Sequence, residues 1–427
     1  MLLKALRFSL IISMFLYNCA RADNFEADSS MLTNENSVLL KNYVNSISQY
    51  QAETPELAER LQKTKAYYEK IHILKTVQKT NYTVDCIPFA EQPALIDNPT
   101  LAKQLLDNVK TIALKNHEAL KKLGNNFEFN AATECPFGSV GILRPSKSIL
   151  ISTLANKKNP FGSSSSLQEN NLAAGTGGFS YQYGASVGEY QIFIPTQYAL
   201  AYFKGPQLQH VAPNAHGDHS LTQFWLINKS YTNSVEFGVF ASTYFTYPEP
   251  TTSFFIYASV DAYGSKSCYN LGCPNFIQAP DTPVLGAPIN INVDYIFQVD
   301  HRIGGAQSGF YLTLGYYDPA LNNPQTTYIV MGYYPDSIYQ NPELPNQFSV
   351  GAEVYAAAPQ NGTIIYGNYV NPYGAFQGPK HIVSTSQNGN FFPYYSSALP
   401  APYGEVWHFG QSQTNFLIPL SYKQNEE

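Results

Sequence analysis

Through the second half of the chain, apolar and polar residues alternate in short runs separated by Pro, Gly and Asn. In Asn233–Phe240, Val235, Phe237 and Val239 recur at the period of two that puts them on one face of a strand, leaving Glu236 and Gly238 on the other. A second carboxylate, Glu353, stands in a similar run, Phe348–Tyr355, just after Val350-Gly351-Ala352. Comparable runs occur at Tyr181–Pro195, Leu221–Asn228, Ser253–Asp261, Ile289–Asp300, Gly309–Gly315, Thr326–Tyr333 and Phe416–Tyr422. So many short strands predict a mainly β fold, an antiparallel β-sandwich. No self-similarity at a period of roughly 20–50 residues supports a propeller.

The first third reads differently. Leu39, Leu40, Tyr43, Val44 and Ile47 keep the rhythm of a helix, and Thr54-Pro55-Glu56-Leu57 opens a second one with a cap candidate and a proline at its first position. That helix is expected to run to about Leu74. Loop and short strand follow between Tyr82 and Asn98, a helix over Leu101–Leu123, and a turn and strand over Glu134–Arg144. A helical, mixed α+β domain therefore precedes the sandwich. Residues 156–171, with Lys157-Lys158-Asn159-Pro160 and Ser163-Ser164-Ser165-Ser166, have no apolar period and read as an exposed, cleavable linker.

Residues 1–22 carry Lys4 and Arg7, an apolar run from Phe8 to Tyr17, and Ala20-Arg21-Ala22. That order predicts a secretory signal cleaved after Ala22, with an apolar run too short to span a bilayer. The expected parts are thus 1–22 as signal, 23–155 as a first domain, 156–171 as linker and 172–427 as the sandwich. Cys19 raises a lipoprotein anchor as the alternative, although Asn18 is not the small residue such processing favours. The expected location is extracellular or periplasmic.

Composition sharpens this. Aromatic residues make up 14% of the chain and charged residues only 13%, which suits a secreted β protein and argues against a long disordered tail. The net charge of −6 gives no basic footprint for nucleic acid. Residues 23–171 balance sixteen basic against sixteen acidic side chains, whereas 172–427 hold six against fifteen. The imbalance marks two domains with different tasks.

Beyond Cys19, the four cysteines Cys86, Cys135, Cys268 and Cys273 suggest disulfides, and four cysteines allow three pairings. Neither a second close cysteine pair nor a histidine cluster stands beside them, so no metal is expected there. Gly184-Ala185-Ser186-Val187-Gly188 matches a serine-nucleophile elbow by letter, but strand-like residues follow it where a helix is required. His210, His216, Asp218 and His219 lie close together in a Pro- and Gly-containing segment whose spacing fits no helical zinc motif, and a solvated loop is the simpler reading. The sequons at Asn81, Asn228 and Asn361 bear on a eukaryotic secretory route. What remains is the carboxylate pair. Two glutamates facing one cleft push their pKa values apart, so one can take a proton from water while the other donates one to a leaving group.

Several segments carry a resemblance that covers nearly the whole chain. Asp85-Cys86-Ile87-Pro88, Gln92-Pro93-Ala94 and Cys135-Pro136-Phe137-Gly138-Ser139-Val140 with Arg144 resemble the activation-peptide domain of the neprosin family. Tyr183-Gly184-Ala185, Ser220–Trp225, Asn233–Gly238, Asp261-Ala262-Tyr263, Cys268–Gln278, Gly332–Pro335 and Gly351–Val354 resemble its catalytic domain. The resemblance implies a secreted glutamic endopeptidase, made as a zymogen and cutting peptides or proteins after proline, with neither metal nor cofactor. Its two catalytic glutamates fall on Glu236 and Glu353. Gln223 is a candidate oxyanion donor or support for the pair, against the plainer role of a buried strand glutamine paired with backbone. The resemblance also implies Cys86–Cys135 and Cys268–Cys273 disulfides, and a propeptide that inhibits its own catalytic domain. Where the family usually has Trp after the first motif's glycine, this chain has Val239; where it has Trp-Gly-Gly before the second glutamate, this chain has Val350-Gly351-Ala352. The competing expectation is a non-catalytic secreted sandwich that binds carbohydrate or another surface.

Overall fold

The computed structural model describes residues 34–52, 55–123, 134–146, 180–188, 198–204, 207–210, 219–228, 230, 232–242, 251–261, 268–272, 276–289, 294–302, 307–317, 327–339, 347–356, 364–366, 373–378, 381–384 and 391–397. The expected signal peptide, the linker, the end of the run at Tyr181–Pro195 and the strand at Phe416–Tyr422 lie outside them.

The N-terminal region holds α1 (Asn34–Ile47), α2 (Pro55–Tyr68), β1 (Lys75–Gln78), β2 (Thr83–Pro88), α3 (Pro99–Leu123) and β3 (Ser139–Leu143), with an antiparallel sheet in the order β1-β2-β3. The second helix stops at Tyr68, short of the expected Leu74. Ile71, Ile73, Leu74 and Val77 are buried, and Leu74 donates its N–H to the Cys86 carbonyl at 2.8 Å. This apolar run leads into β1, which pairs with β2, a contact between segments that helical periodicity cannot register. Cys86 is bonded to Cys135, tying β2 to the turn that leads into β3. On the central strand β2, Asp85, wholly buried, is held by Arg144 through Nε at 2.7 Å and Nη2 at 2.5 Å.

The rest is strand. The strands run β4 (Ser180–Gly188), β5 (Tyr198–Lys204), β6 (Gln207–His210), β7 (His219–Ile227), β8 (Ser234–Ser242), β9 (Thr251–Ser259), β10 (Cys268–Tyr269), β11 (Ile277–Gln278), β12 (Asp294–Arg302), β13 (Gly309–Tyr317), β14 (Thr327–Pro335), β15 (Gln347–Ala356), β16 (Ile364–Tyr366), β17 (Tyr373–Gly378), β18 (His381–Ser384) and β19 (Phe391–Ser397). Two seven-stranded antiparallel sheets result, ordered β10-β9-β8-β7-β15-β4-β19 and β11-β14-β13-β12-β5-β17-β18, with β6 and β16 paired apart. The mainly β, antiparallel fold with a helical N-terminal region is as the alternation predicts. Val235, Phe237 and Val239 share a core with Phe254 and Ile256 of their own sheet and with Tyr295, Phe297, Leu312 and Met331 of the other. Phe237 meets Phe297 edge-on at 4.5 Å between ring centroids, and Phe254 meets Tyr295 at 4.9 Å. This shared core supports the sandwich reading.

The N-terminal region docks on the β11–β14 side. Leu105, Val109 and Ala113 of α3 join Ile87, Phe89 and Val140 in one core with Ile277, Tyr311 and Tyr333. Side-chain amides cover the polar backbone there. Asn116 bonds both the N–H and the C=O of Val330, at 2.9 Å each, and donates to the Pro280 carbonyl at 3.0 Å. Gln92 does the same for Gln278, accepting from its N–H at 2.7 Å and donating to its C=O at 3.2 Å. Each amide stands in for one residue of an added strand. Asp281, in the left-handed region at φ 53°, accepts from the Gly138 N–H at 2.9 Å and pairs with His117 at 3.3 Å.

Candidate active site

Glu236 lies on β8 and Glu353 on β15, strands separated in the sheet only by β7. Through the register, Glu236 is opposite Trp225 and Glu353 opposite Leu221, both on β7. Trp225 and Leu221 are four residues apart, an even number, so both glutamates belong to the same face. Midway between them on β7 is Gln223, flanked by Gly238 on one side and Gly351 on the other. The glutamates are thus diagonal to each other across Gln223, and strand geometry puts their Cα atoms about 16 Å apart. The face is the one turned away from the other sheet, because the alternate residues Val235, Phe237 and Val239 fill the core.

Glu236 is fully buried, and the Ser234 hydroxyl donates to its Oε1 at 3.4 Å. Burial holds the Tyr334 phenol well above its ordinary pKa, and the Glu236 charge adds to the rise. Gln223 is equally buried, yet among the described residues neither its Nε2 nor its Oε1 meets a hydrogen-bonding partner. The plainer expectation, a strand glutamine paired with backbone, is therefore corrected. Its neighbours in the row are glycines, which bring no side chain to bond it, and the strand backbone is already committed to the ladders. Beside Glu236 the same face carries rings: Tyr257 and Tyr269 are 4.7 Å apart, and Phe240 and Phe255 are 5.5 Å apart. Sequence reasoning passed over these aromatics. Their signal was the same parity that singled out Glu236, since Tyr257 pairs with it directly.

Other sequence candidates fall elsewhere. The whole of Gly184–Gly188 is contained in β4, so Ser186 sits in extended strand rather than on a sharp turn. His210 ends β6 and His219 begins β7; His216 and Asp218 lie outside the described residues. Cys273 also lies outside them, which leaves the Cys268–Cys273 pairing there as well. Asn228 is buried, and its side chain organises the β7–β8 turn. Its Nδ2 donates to the Ser230 and Thr232 hydroxyls, and its Oδ1 accepts from the Thr232 and Asn233 N–H groups, all at 2.9 Å. As a turn residue it has no free amide for a glycan. No group of three or more His, Cys, Asp or Glu is arranged to hold a metal among the described residues. No helix among them is long and apolar enough to cross a membrane.

Residues 216–373 match the family model of Neprosin, a match that spans β7 to the start of β17 and includes both Glu236 and Glu353. Over that stretch the chain is similar to the neprosin family, a family associated with peptidase activity.

Proposed function

We propose that the protein is a secreted glutamic endopeptidase in which Glu236 and Glu353 hydrolyse the peptide bond with a water molecule and no covalent intermediate. The observation that carries this reading is the register: two glutamates 117 positions apart in sequence come to one face, one strand apart from a common neighbour. One carboxylate, ionised, takes a proton from water as the water oxygen bonds to the carbonyl carbon. The other, protonated, gives its proton to the amide nitrogen as the C–N bond breaks. The roles of acid and base are open between the two. The buried rings on the Glu236 side, Tyr257, Tyr269, Phe255 and Phe240, give that side of the pair an apolar character suited to a proline ring next to the cut.

The N-terminal region, 23–155, acts in this reading as an activation propeptide and inhibitor, released when the linker at 156–171 is cut. The signal peptide at 1–22 and the Cys86–Cys135 disulfide agree with export to an oxidising compartment. The test is hydrolysis of a proline-containing peptide library by the full chain, before and after limited cleavage in the linker, beside Glu236→Gln and Glu353→Gln. Activity that appears after cleavage and is lost in both variants supports the reading. A cleaved, folded protein that binds peptides or sugars without cutting, and does so equally in both variants, would replace it with a binding module.

A further inference from the structure

Strand β14 has one residue more than its pairing with β13 can use. Tyr333 and Gly332 lie opposite Tyr311 and Leu312, Val330 and Ile329 lie opposite Thr313 and Leu314, and Met331 between them is bulged. The bulge reverses the phase of the strand. Tyr334 and Ile329, five positions apart, both belong to the core of the sandwich, while Tyr333 and Val330, three apart, both pack with the N-terminal region. In an unbroken strand residues an odd number apart lie on opposite faces, so pairing without the bulge would turn one half of β14 inside out.

The N-terminal region grips the strand on either side of this bulge. Asn116 bonds the N–H and C=O of Val330, the residue before Met331. Gln92 bonds the N–H and C=O of Gln278 on β11, and Gln278 is the register partner of Gly332, the residue after Met331. β11 is only two residues long, shorter than strands that hold by their own pairing. The fit there is tight: Gly332 is at φ 143°, and a Cβ on it would come within 2.2 Å of the Ile277 carbonyl oxygen. A strand shifted by one residue turns its N–H and C=O groups the other way and would leave the two buried carboxamides unpaired. The two parts also differ in how they form. α1, α2, α3 and the β1–β2 hairpin are built from neighbours in sequence, whereas the sandwich joins strands as distant as β4 and β19. Local contacts form faster than distant ones, and N-terminal segments fold first during synthesis.

We propose that the N-terminal region is a folding template for the sandwich, in which Asn116 and Gln92 select the register of β14 by bonding its edge only when Met331 is the bulged residue. The shared core of Leu105, Val109 and Ala113 with Ile277, Tyr311 and Tyr333 supplies the apolar platform on which β11 and β14 are laid down. This task is independent of the chemistry at the glutamates. It also agrees with later release of the region, since a register closed within a seven-stranded sheet needs no further guide.

The experiment follows refolding from denaturant, with disulfides intact, for the full chain and for Asn116→Ala, Gln92→Ala and Asn108→Ala, read by hydrogen-exchange protection of residues 327–335. Asn108 is the control, because it bonds the Gln307 side chain across the same docking surface rather than strand backbone. Asn116→Ala and Gln92→Ala are expected to refold about 10²-fold more slowly while unfolding at close to the parent's rate, and Asn108→Ala to refold as the parent does. The parent cut in the linker before denaturation is expected to refold at a rate that rises with concentration, because template and sandwich must then meet. Parent-like refolding with faster unfolding in Asn116→Ala and Gln92→Ala would mean that these bonds form after the register is set, and would overturn the template. Concentration-independent recovery of the cut chain would overturn it equally, even where a variant fails to fold.

Discussion

Two carboxamides, each almost completely shielded from water, sit in two regions of this molecule and meet opposite fates. Asn116, on the face of α3 that packs against the sandwich, bonds three backbone groups and leaves none of its own atoms idle. The Gln223 carboxamide, in the middle of the other sheet, meets no partner among the described residues. The first is what a docking surface needs: an amide inserted where β14 and the loop at Pro280 present bare backbone groups. The second makes no sense as a stabilising residue. It makes sense where a further polar group is to be received. Burial alone does not distinguish structure from function here; the state of satisfaction of the buried group does.

The comparison can be broken or sharpened by substitution. The largest effect on stability is expected near the docking surface, at the buried ion pair. Arg144→Met leaves the Asp85 carboxylate, wholly buried between β1 and β3, without its guanidinium, and should cost about 3–5 kcal/mol in denaturant unfolding of the full chain. Next is Asn116→Ala, which strands the Val330 N–H and two carbonyls and should cost about 3 kcal/mol. Gln223→Met should cost nothing and can raise stability, because no bond is lost and an unsatisfied amide is removed. Equal losses at Asn116 and Gln223 would erase the distinction between the two regions.

The smallest effect concerns Asp300 on β12. Burial raises its carboxyl pKa above the ordinary aspartate value, while bonds from Gln298 and Arg302 pull it back. A raised folded-state pKa means that the protonated carboxyl is favoured by folding. Its stabilising contribution is complete below the unfolded pKa of about 3.9 and is lost as pH rises through the raised folded value. Asp300→Asn should therefore gain about 1 °C in Tm at neutral pH, and the gain should vanish toward pH 4. A gain that grew on acidification would reverse the sign of this account.

Much of the site was legible in sequence because strands have a period of two. Val235, Phe237 and Val239 named the core face of β8 and so put Glu236 on the other. The Gly351–Glu353 spacing did the same for β15. The order β8-β7-β15 was not legible, since strands so far apart in sequence can neighbour one another in many arrangements and local pattern does not choose among them. For the same reason the row through Gln223 emerged only from the register. The strand at Lys75–Gln78 was missed because the apolar residues before it continue a helical count, while its pairing with β2 is a contact between segments. Gln92 and Asn116 gave no signal at all; a polar residue's role as a backbone mimic depends on which backbone it meets.

The central claim is that Glu236 and Glu353 together perform hydrolysis. It is tested most directly by mass-spectrometric mapping of peptide cleavage by the full chain after linker cleavage, for the parent and for Glu236→Gln and Glu353→Gln, all three confirmed as folded by thermal unfolding. The account predicts discrete cuts by the parent, concentrated after proline, and none by either variant. Undiminished cutting by either folded variant would contradict it.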